Sequence, residues 1–195
     1  RRIEPGDIFF ALPGAKVHGN QFVADAVQRG ALAVVTDTAP PGDPGVPVII
    51  VKDVRASYAR AASRVFEPQP EILVAVTGTN GKTSVASFVR QIWDHAGVPG
   101  ASIGTLGIET SKRVIEGALT TPDSRTLHQA MRALKAQGID HVALEASSHG
   151  LDQHRMDGVH FEAVAFTNLS RDHLDYHKDM DEYRNAKLRL FTDLL

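Results

Sequence analysis

The chain has 195 residues, 43% of them hydrophobic, with 21 Lys plus Arg against 23 Asp plus Glu, a formal net charge of −2 and no cysteine. That much apolar material supports one or two folded domains and excludes intrinsic disorder, and the absence of a basic excess argues against nonspecific nucleic-acid binding. Without cysteine there is no disulfide framework and no thiolate site, so any metal must take O or N ligands.

No apolar run approaches the roughly 18 residues of a membrane span, and the opening Arg1-Arg2-Ile3-Glu4-Pro5-Gly6-Asp7 lacks the apolar centre of a signal peptide. The expectation is a soluble, cytoplasmic protein. A start at Arg1 and a stop at Leu195 inside a helical pattern suggest a piece of a longer protein.

From the N-terminus, short apolar runs at Ile8 to Leu12, Ala31 to Thr36 and Val46 to Val51 alternate with helical stretches near Gln21 to Arg29 and Arg55 to Phe66. This is the pattern of a small α/β domain over residues 1–66. Glu67-Pro68-Gln69-Pro70-Glu71 then interrupts it, because each proline excludes helix and restricts the residue before it. A linker is expected at 67–71. From 72 to 195 a second α/β pattern begins with the buried-strand run Ile72 to Val76, followed by a helix with one face of Val85, Phe88, Val89, Ile92 and Ala96, closed by Gly97. A further helix carries Leu127, Ala130, Met131 and Leu134 and ends at Gly138, before strands at His141 to Leu144 and Ala163 to Phe166. The alternation predicts an α/β fold: a small N-terminal α/β domain, then part of a mostly parallel sheet that binds ligands beyond its strands' carboxyl ends.

Between the strand at Ile72 and the next helix lies Thr77-Gly78-Thr79-Asn80-Gly81-Lys82-Thr83-Ser84. Glycines let backbone N–H groups approach phosphate oxygens, and a helix N-terminus adds a positive dipole end. Lys82 supplies a point charge for β/γ-phosphates and the Thr83 hydroxyl a ligand for Mg²⁺. The spacing is the short G-x-x-G-K-T, since Val76 stands where the longer phosphate-loop pattern has a glycine. A plain strand-to-helix turn is the alternative, and the flanking strand and helix favour nucleotide binding through Gly78, Thr79, Asn80, Gly81, Lys82, Thr83 and Ser84.

Three further positions carry two readings each. Glu145, at a strand's carboxyl end, is either a Mg²⁺ ligand near nucleotide phosphates or a solvated terminus. In Asn168-Leu169-Ser170-Arg171-Asp172-His173, His173 is a metal ligand, or Ser170 or Asp172 is a helix cap and the histidine a surface residue. Lys187 falls on the apolar stripe Met180, Tyr183, Leu190, Phe191, Leu194 of the final helix. It is a snorkelling stem, or a desolvated amine that adds CO₂ and becomes a carbamate. Arg155 offers a planar fork for a carboxylate or phosphate.

Together, the phosphate loop, Thr120-Thr121-Pro122-Asp123, Glu145-Ala146-Ser147-Ser148-His149-Gly150-Leu151, Gln153-His154-Arg155, Asn168 to His177 and Tyr183-Arg184-Asn185-Ala186-Lys187 resemble the Mur ligases. Within that family the likeness is to the enzymes that add the third residue to a nucleotide-linked muramoyl dipeptide, and it spans nearly the whole chain. The loop alone is shared with folylpolyglutamate synthetases; the E-x-S-S-H-G-L-x-Q-x-R run is far more specific. The resemblance implies an ATP- and Mg²⁺-dependent amide ligase of peptidoglycan synthesis. Its partners would be UDP-MurNAc-L-Ala-D-Glu and an amino acid, meso-diaminopimelate or L-lysine, with no nucleic acid, and it would act as a monomer. It implies catalytic roles for Lys82, Glu145, His173 and Lys187, with Thr83, Glu145, His173 and carbamylated Lys187 at magnesium. Thr120, Thr121, Ser147, Gln153 and Arg155 would grip the dipeptide nucleotide, and Ala15-Lys16-Val17 would face its uridine-diphosphate end. It also implies that the start of the first domain and the whole third domain lie outside the chain, so that this span alone is inactive. The rival expectations are a folylpolyglutamate- or cyanophycin-type ligase, and a P-loop kinase or ATPase that forms no acyl phosphate.

Overall fold

The computed structural model describes residues 3–14, 17–115 and 119–195. Contacts divide the chain into two compact units, Arg1–Tyr58 and Ala59–Leu195, so the division falls inside helix α2 (Val54–Val65) and residues 67–71 belong to the second unit.

In the first unit, β1 (Ile8–Phe10), β2 (Ala33–Thr36) and β3 (Val48–Ile50) form a parallel sheet in the order β1-β2-β3. Each is shorter than the apolar run that announces it. The chain reaches β2 through a 3₁₀ turn, Gly19–Phe22, that leads into α1 (Val23–Gln28). A Cβ on Gly19 would come within 2.6 Å of the Ala11 Cα, so only glycine lets the turn lie this close to the end of β1. Ala11, Val23 and Val34 form a small core, with Phe9, Val27, Val46 and Val48 packed around it.

The second unit is built on six strands: β4 (Ile72–Thr77), β5 (Gly100–Gly104), β6 (Gly107–Thr110), β7 (Val114–Ile115), β8 (His141–Glu145) and β9 (Ala163–Phe166). Their order is β7-β6-β5-β8-β4-β9. β5, β8, β4 and β9 run parallel, whereas β6 and β7 extend the sheet antiparallel beyond β5. The sequence pattern misses β5, because Gly100-Ala101-Ser102-Ile103-Gly104 has no apolar run. All five residues are nonetheless buried, and their small size lets Trp93 pack onto Gly100 and Glu145 onto Gly104.

The helices sit where the sequence periodicity puts them. α3 (Lys82–His95) follows β4, α4 (Ser124–Lys135) precedes β8, and α6 (Met180–Thr192) closes the chain; Asp123 caps α4 by accepting from the Thr126 N–H. Gly97 and Gly138 follow their helices at φ +75° and +76°, the left-handed geometry that ends a helix. A short helix, α5 (Ser148–Asp152), follows β8. The face of α3 differs from expectation. Val85, Ala86, Val89 and Trp93 pack toward Val76 and Ala143 of the sheet, while Phe88 and Ile92 are 61% and 65% exposed. Positions 85, 89 and 93 lie one above another on the helix, and 88 and 92 fall on its flank. The main core gathers Leu73, Ile103, Leu127, Met131, Val142, Leu144, Leu151, Met156 and Leu190. Among the described residues no helix is long and apolar enough to cross a membrane.

Candidate active site at the strand ends

The carboxyl ends of the adjacent strands β8, β4 and β9 bring the sequence motifs together. Between β4 and α3, Gly78 and Gly81 take φ values of +140° and +87°, conformations that L side chains rarely adopt. A Cβ on Gly78 would fall 2.0 Å from the Thr167 hydroxyl, so the loop lies directly against the segment after β9. That segment also holds it by hydrogen bonds. The Thr79 N–H donates to the Asn168 carbonyl (2.8 Å), the Asn80 N–H to Asn168 Oδ1 (3.1 Å), and the Thr167 hydroxyl to the Asn80 carbonyl (2.6 Å).

The bond from the Val85 N–H to the Gly81 carbonyl opens the α3 ladder, which leaves the N–H groups of Lys82, Thr83 and Ser84 without intrahelical partners at the positive end of the helix. Lys82 Nζ donates to the carbonyls of Gly78 (2.8 Å) and Thr79 (2.9 Å), so the ammonium stays over the loop. Burial lowers its pKa, opposed by the charges of Glu145 and Asp172. A cradle of free N–H groups beside a cation suits a phosphate chain.

Glu145, at the end of β8, is only 3% exposed and accepts three hydrogen bonds: from the Thr83 hydroxyl (2.9 Å), the Thr105 N–H (2.8 Å) and the Thr105 hydroxyl (3.2 Å). The solvated-terminus reading of this carboxylate does not hold. Gly104 makes its position possible, since a Cβ there would lie 2.0 Å from Glu145 Oε1. Sequence reasoning missed both Gly104 and Thr105; the signal was the small-residue strand itself, whose glycine end leaves room for a side chain from the neighbouring strand. Among the described residues no group of three or more His, Asp or Glu forms a metal-holding cluster. The paired oxygens of Thr83 and Glu145 beside a phosphate loop instead suit Mg²⁺, which keeps several waters and takes its remaining ligands from phosphates.

Lys187 comes in from α6, 1% exposed. Its Nζ donates to the Gly78 carbonyl (2.9 Å), the acceptor that Lys82 also uses, and lies 4.4 Å from the centre of the Tyr183 ring. Burial first, and then the Lys82 charge, push its pKa down to about 8, with Asp172 pulling the other way. The snorkelling alternative is excluded, because the amine is enclosed together with its stem. Asp172 thus acts on both lysines, and it caps no helix: α6 begins at Met180 with Asp179 as its cap. Ser170 caps none either; its N–H and carbonyl both engage the Thr79 hydroxyl.

His173 has a left-handed backbone (φ +52°) and a part-exposed ring. That ring stands edge-on to His149 at 4.9 Å between centroids, 6.2 Å from Tyr183, with Nε2 3.5 Å from Asp172. It therefore belongs to a histidine and tyrosine cluster with His149, Tyr176 and the buried His177, in which burial and the neighbouring rings lower the His149 pKa.

The residues expected to grip a substrate form one hydrogen-bonded group. The Thr121 hydroxyl contacts the Glu145 carbonyl (2.8 Å) and the Ser147 hydroxyl (3.0 Å), and Thr120 meets Thr105 (3.0 Å). Arg155 donates to the Thr121 carbonyl (2.6 Å) and to Gln153 Oε1 (2.8 Å), so its fork is engaged by the chain itself. Val17 is exposed in the first unit, and Ala15 and Lys16 lie outside the described residues.

Comparison with known proteins accords with this arrangement. The profile of the Mur ligase family, catalytic domain, matches residues 1–66, and that of the Mur ligase middle domain matches 76–195. The chain is 52% identical over 195 residues to the UDP-N-acetylmuramoyl-L-alanyl-D-glutamate--2,6-diaminopimelate ligase of Rhizobium meliloti (strain 1021), and 54% identical over 197 residues to the ligase of that name from Brucella melitensis biotype 1. Each alignment takes in all of this chain and 40% of the relative, so the chain spans well under half the length of these proteins. A solved structure of a ligase of the same name superposes with a TM-score of 0.86 at 34% identity, over 97% of this chain and 39% of that one.

Proposed function

We propose a function from one premise: the chain belongs to the Mur ligase family. It is part of an ATP-dependent ligase that joins 2,6-diaminopimelate to the D-glutamate of UDP-N-acetylmuramoyl-L-alanyl-D-glutamate in peptidoglycan synthesis. The relatives' names support diaminopimelate over L-lysine as the added residue. The observation that carries the reading is the convergence of the Lys82 and Lys187 amines on one carbonyl of the phosphate loop, with the Thr83–Glu145 pair at the start of the same helix.

In this reading the N–H groups at the start of α3 and the Lys82 ammonium hold the ATP phosphates, and Lys82 follows the γ-phosphoryl group as it moves. The D-glutamate carboxylate attacks that phosphorus; its bond to the ADP oxygen breaks, leaving an acyl phosphate. The amine of diaminopimelate adds to the acyl carbon and gives up a proton to solvent, and phosphate departs from the tetrahedral intermediate to leave the amide. Mg²⁺ held by Thr83, Glu145 and His173 would neutralise charge on the phosphates. The low Lys187 pKa supports a neutral amine that adds CO₂ and loses a proton, so that the residue serves as a carboxylate. Ser147, Gln153, Arg155, Thr120 and Thr121 orient the dipeptide end, and the loop at Ala15-Lys16-Val17 meets the uridine diphosphate. Residues 1–66 form the nucleotide-sugar domain, 67–71 a linker and 72–195 part of the ATP-binding domain, a division supported by the matched ranges.

The test is to trap the acyl phosphate in the full-length enzyme. ATP, the dipeptide nucleotide and hydroxylamine, with no diaminopimelate, yield a dipeptide-dependent hydroxamate. ADP release without hydroxamate would place the chemistry among kinases or ATPases and overturn the reading.

A further inference from the structure

We infer that Tyr183 is a positioning residue that fixes the phosphate loop and the Lys187 tip relative to each other, the loop through its hydroxyl and the lysine through its ring face. The inference rests on the ligase reading above and adds to it a residue with two separable jobs.

The hydroxyl comes first. Tyr183 lies on α6 one turn before Lys187, is 1% exposed, and brings its oxygen to 3.1 Å from Thr79 Oγ1. Thr79 Oγ1 also accepts from the Ser170 N–H (3.0 Å) and lies 3.2 Å from the Ser170 carbonyl. A threonine hydroxyl has one proton and two lone pairs. With the proton given to the Ser170 carbonyl and one lone pair taken by the Ser170 N–H, the remaining lone pair is filled only if Tyr183 donates. This anchors a loop residue that carries function on its main chain, because the Thr79 carbonyl accepts from Lys82 Nζ. Loss of the tyrosine proton therefore loosens the carbonyl that steers the phosphate-binding cation.

The ring acts on the other lysine. Lys187 Nζ sits over the ring, 4.4 Å from its centre, and donates to the Gly78 carbonyl, so one aromatic face and one loop carbonyl hold the amine. Residues 183 and 187 are four apart on one helix, a spacing at which side chains meet, so α6 itself supplies the ring and only the Gly78 carbonyl comes from a distant segment. Thr79 and Gly78 are neighbours in the same loop. One side chain thus ties the loop that receives the triphosphate in the ligase reading to the Lys187 tip.

The two jobs separate by substitution in the full-length enzyme. Y183F removes only the hydroxyl: the KM for ATP rises about fivefold, the worth of one hydrogen bond, while kcat stays within about twofold. Y183L removes the ring as well, and kcat then falls about tenfold further as the Lys187 side chain loses the surface that places its tip. T79V raises the KM at least as much, since it also removes the two bonds to Ser170, and the double variant Y183F/T79V is no worse than T79V alone, because the Tyr183 bond is already gone. A merely structural tyrosine lowers the melting temperature and the active fraction but leaves the KM of the surviving enzyme unchanged. If Y183L does not fold, the cycle between Y183F and T79V decides the matter. An ATP KM for Y183F equal to that of the wild type, or losses that add in the double variant, overturns this inference alone. A wild type that makes no amide overturns the ligase reading beneath it.

Discussion

At the carboxyl end of β2 the first unit buries Thr36 completely, and neutral partners close off its hydroxyl: Asn20 Oδ1 at 2.9 Å and the Thr38 carbonyl at 2.9 Å. The nearby acid, Asp37, is part-exposed and paired with His18 at 2.8 Å. At the carboxyl ends of β4 and β8 the second unit instead buries an ammonium, Lys187, and a carboxylate, Glu145, with a second lysine between loop carbonyls. Both units place parallel strand ends at a loop, yet among the described residues only the second collects buried charge there. A buried charge opposes folding unless fully compensated, whereas a satisfied neutral hydroxyl does not. Under the proposed ligase reading, the contrast separates a strand end built for stability from one that keeps destabilising groups for chemistry.

The largest effect expected from this contrast is on activity. Lys187→Ala in the full-length enzyme lowers the amide-forming rate by about two orders of magnitude or more, on the scale of removing one transition-state charge partner. Added short-chain carboxylic acids restore part of that rate. Full activity in the variant, assayed by ADP release and by amide product, removes the carbamate from the mechanism.

Stability moves the opposite way. The Lys187 pKa of about 8 lies below its ordinary 10.5, so the unfolded chain holds the proton more firmly. Below pH 8 both states are protonated and the folded chain bears the whole burial penalty. Stability then rises with pH from about 8 to the ordinary value, where the folded chain has lost the proton and the unfolded chain has not. The penalty is about 3 kcal/mol, and loss of the bond to the Gly78 carbonyl returns about 1, so Lys187→Met stabilises the metal-free chain by about 2 kcal/mol at neutral pH. Denaturant titrations at pH 7 and pH 10 read both the gain and its disappearance. A Lys187→Met variant less stable than the wild type at pH 7 contradicts the assignment of Lys187 as a group retained at a cost.

Thr105→Val takes one side-chain donor from Glu145 and leaves the Thr105 N–H and the Thr83 hydroxyl in place. The ligation rate falls about fivefold, equivalent to one hydrogen bond, and higher magnesium recovers part of it. Rates independent of this residue would separate Glu145 from the metal. The smallest effect belongs to the first unit. Asn20→Ala opens the cap over Thr36 and lowers unfolding stability by about 1 kcal/mol, while the affinity for a fluorescent ATP analogue is unchanged. A change in nucleotide affinity would erase the distinction between the two strand ends.

Strands β1 to β4, β8 and β9, the long helices and the phosphate loop are legible in the residues, because each depends on local periodicity, on glycine at a strand-to-helix turn, or on a cap. Lys187 is legible as well, by breaking an apolar stripe. β5 to β7 and α5 are not, since Gly100-Ala101-Ser102-Ile103-Gly104 owes its burial to what packs on it and α5 is barely longer than a turn. The outward face of α3 misleads for a related reason: Phe88 and Ile92 satisfy helical spacing without facing the sheet.

By itself, then, the amino-acid order determines which groups are available for phosphate, metal and amine chemistry, and on which elements they ride. Tertiary structure alone decides that Glu145 rests on Gly104 and is held by Thr105, that Asp172 acts on both lysines instead of capping a helix, and that Tyr183 reaches Thr79 across 104 positions of chain. The reason is physical. Local spacing dictates backbone geometry, but the environment of a charge is set by whichever distant segments the packed sheet brings to its edge.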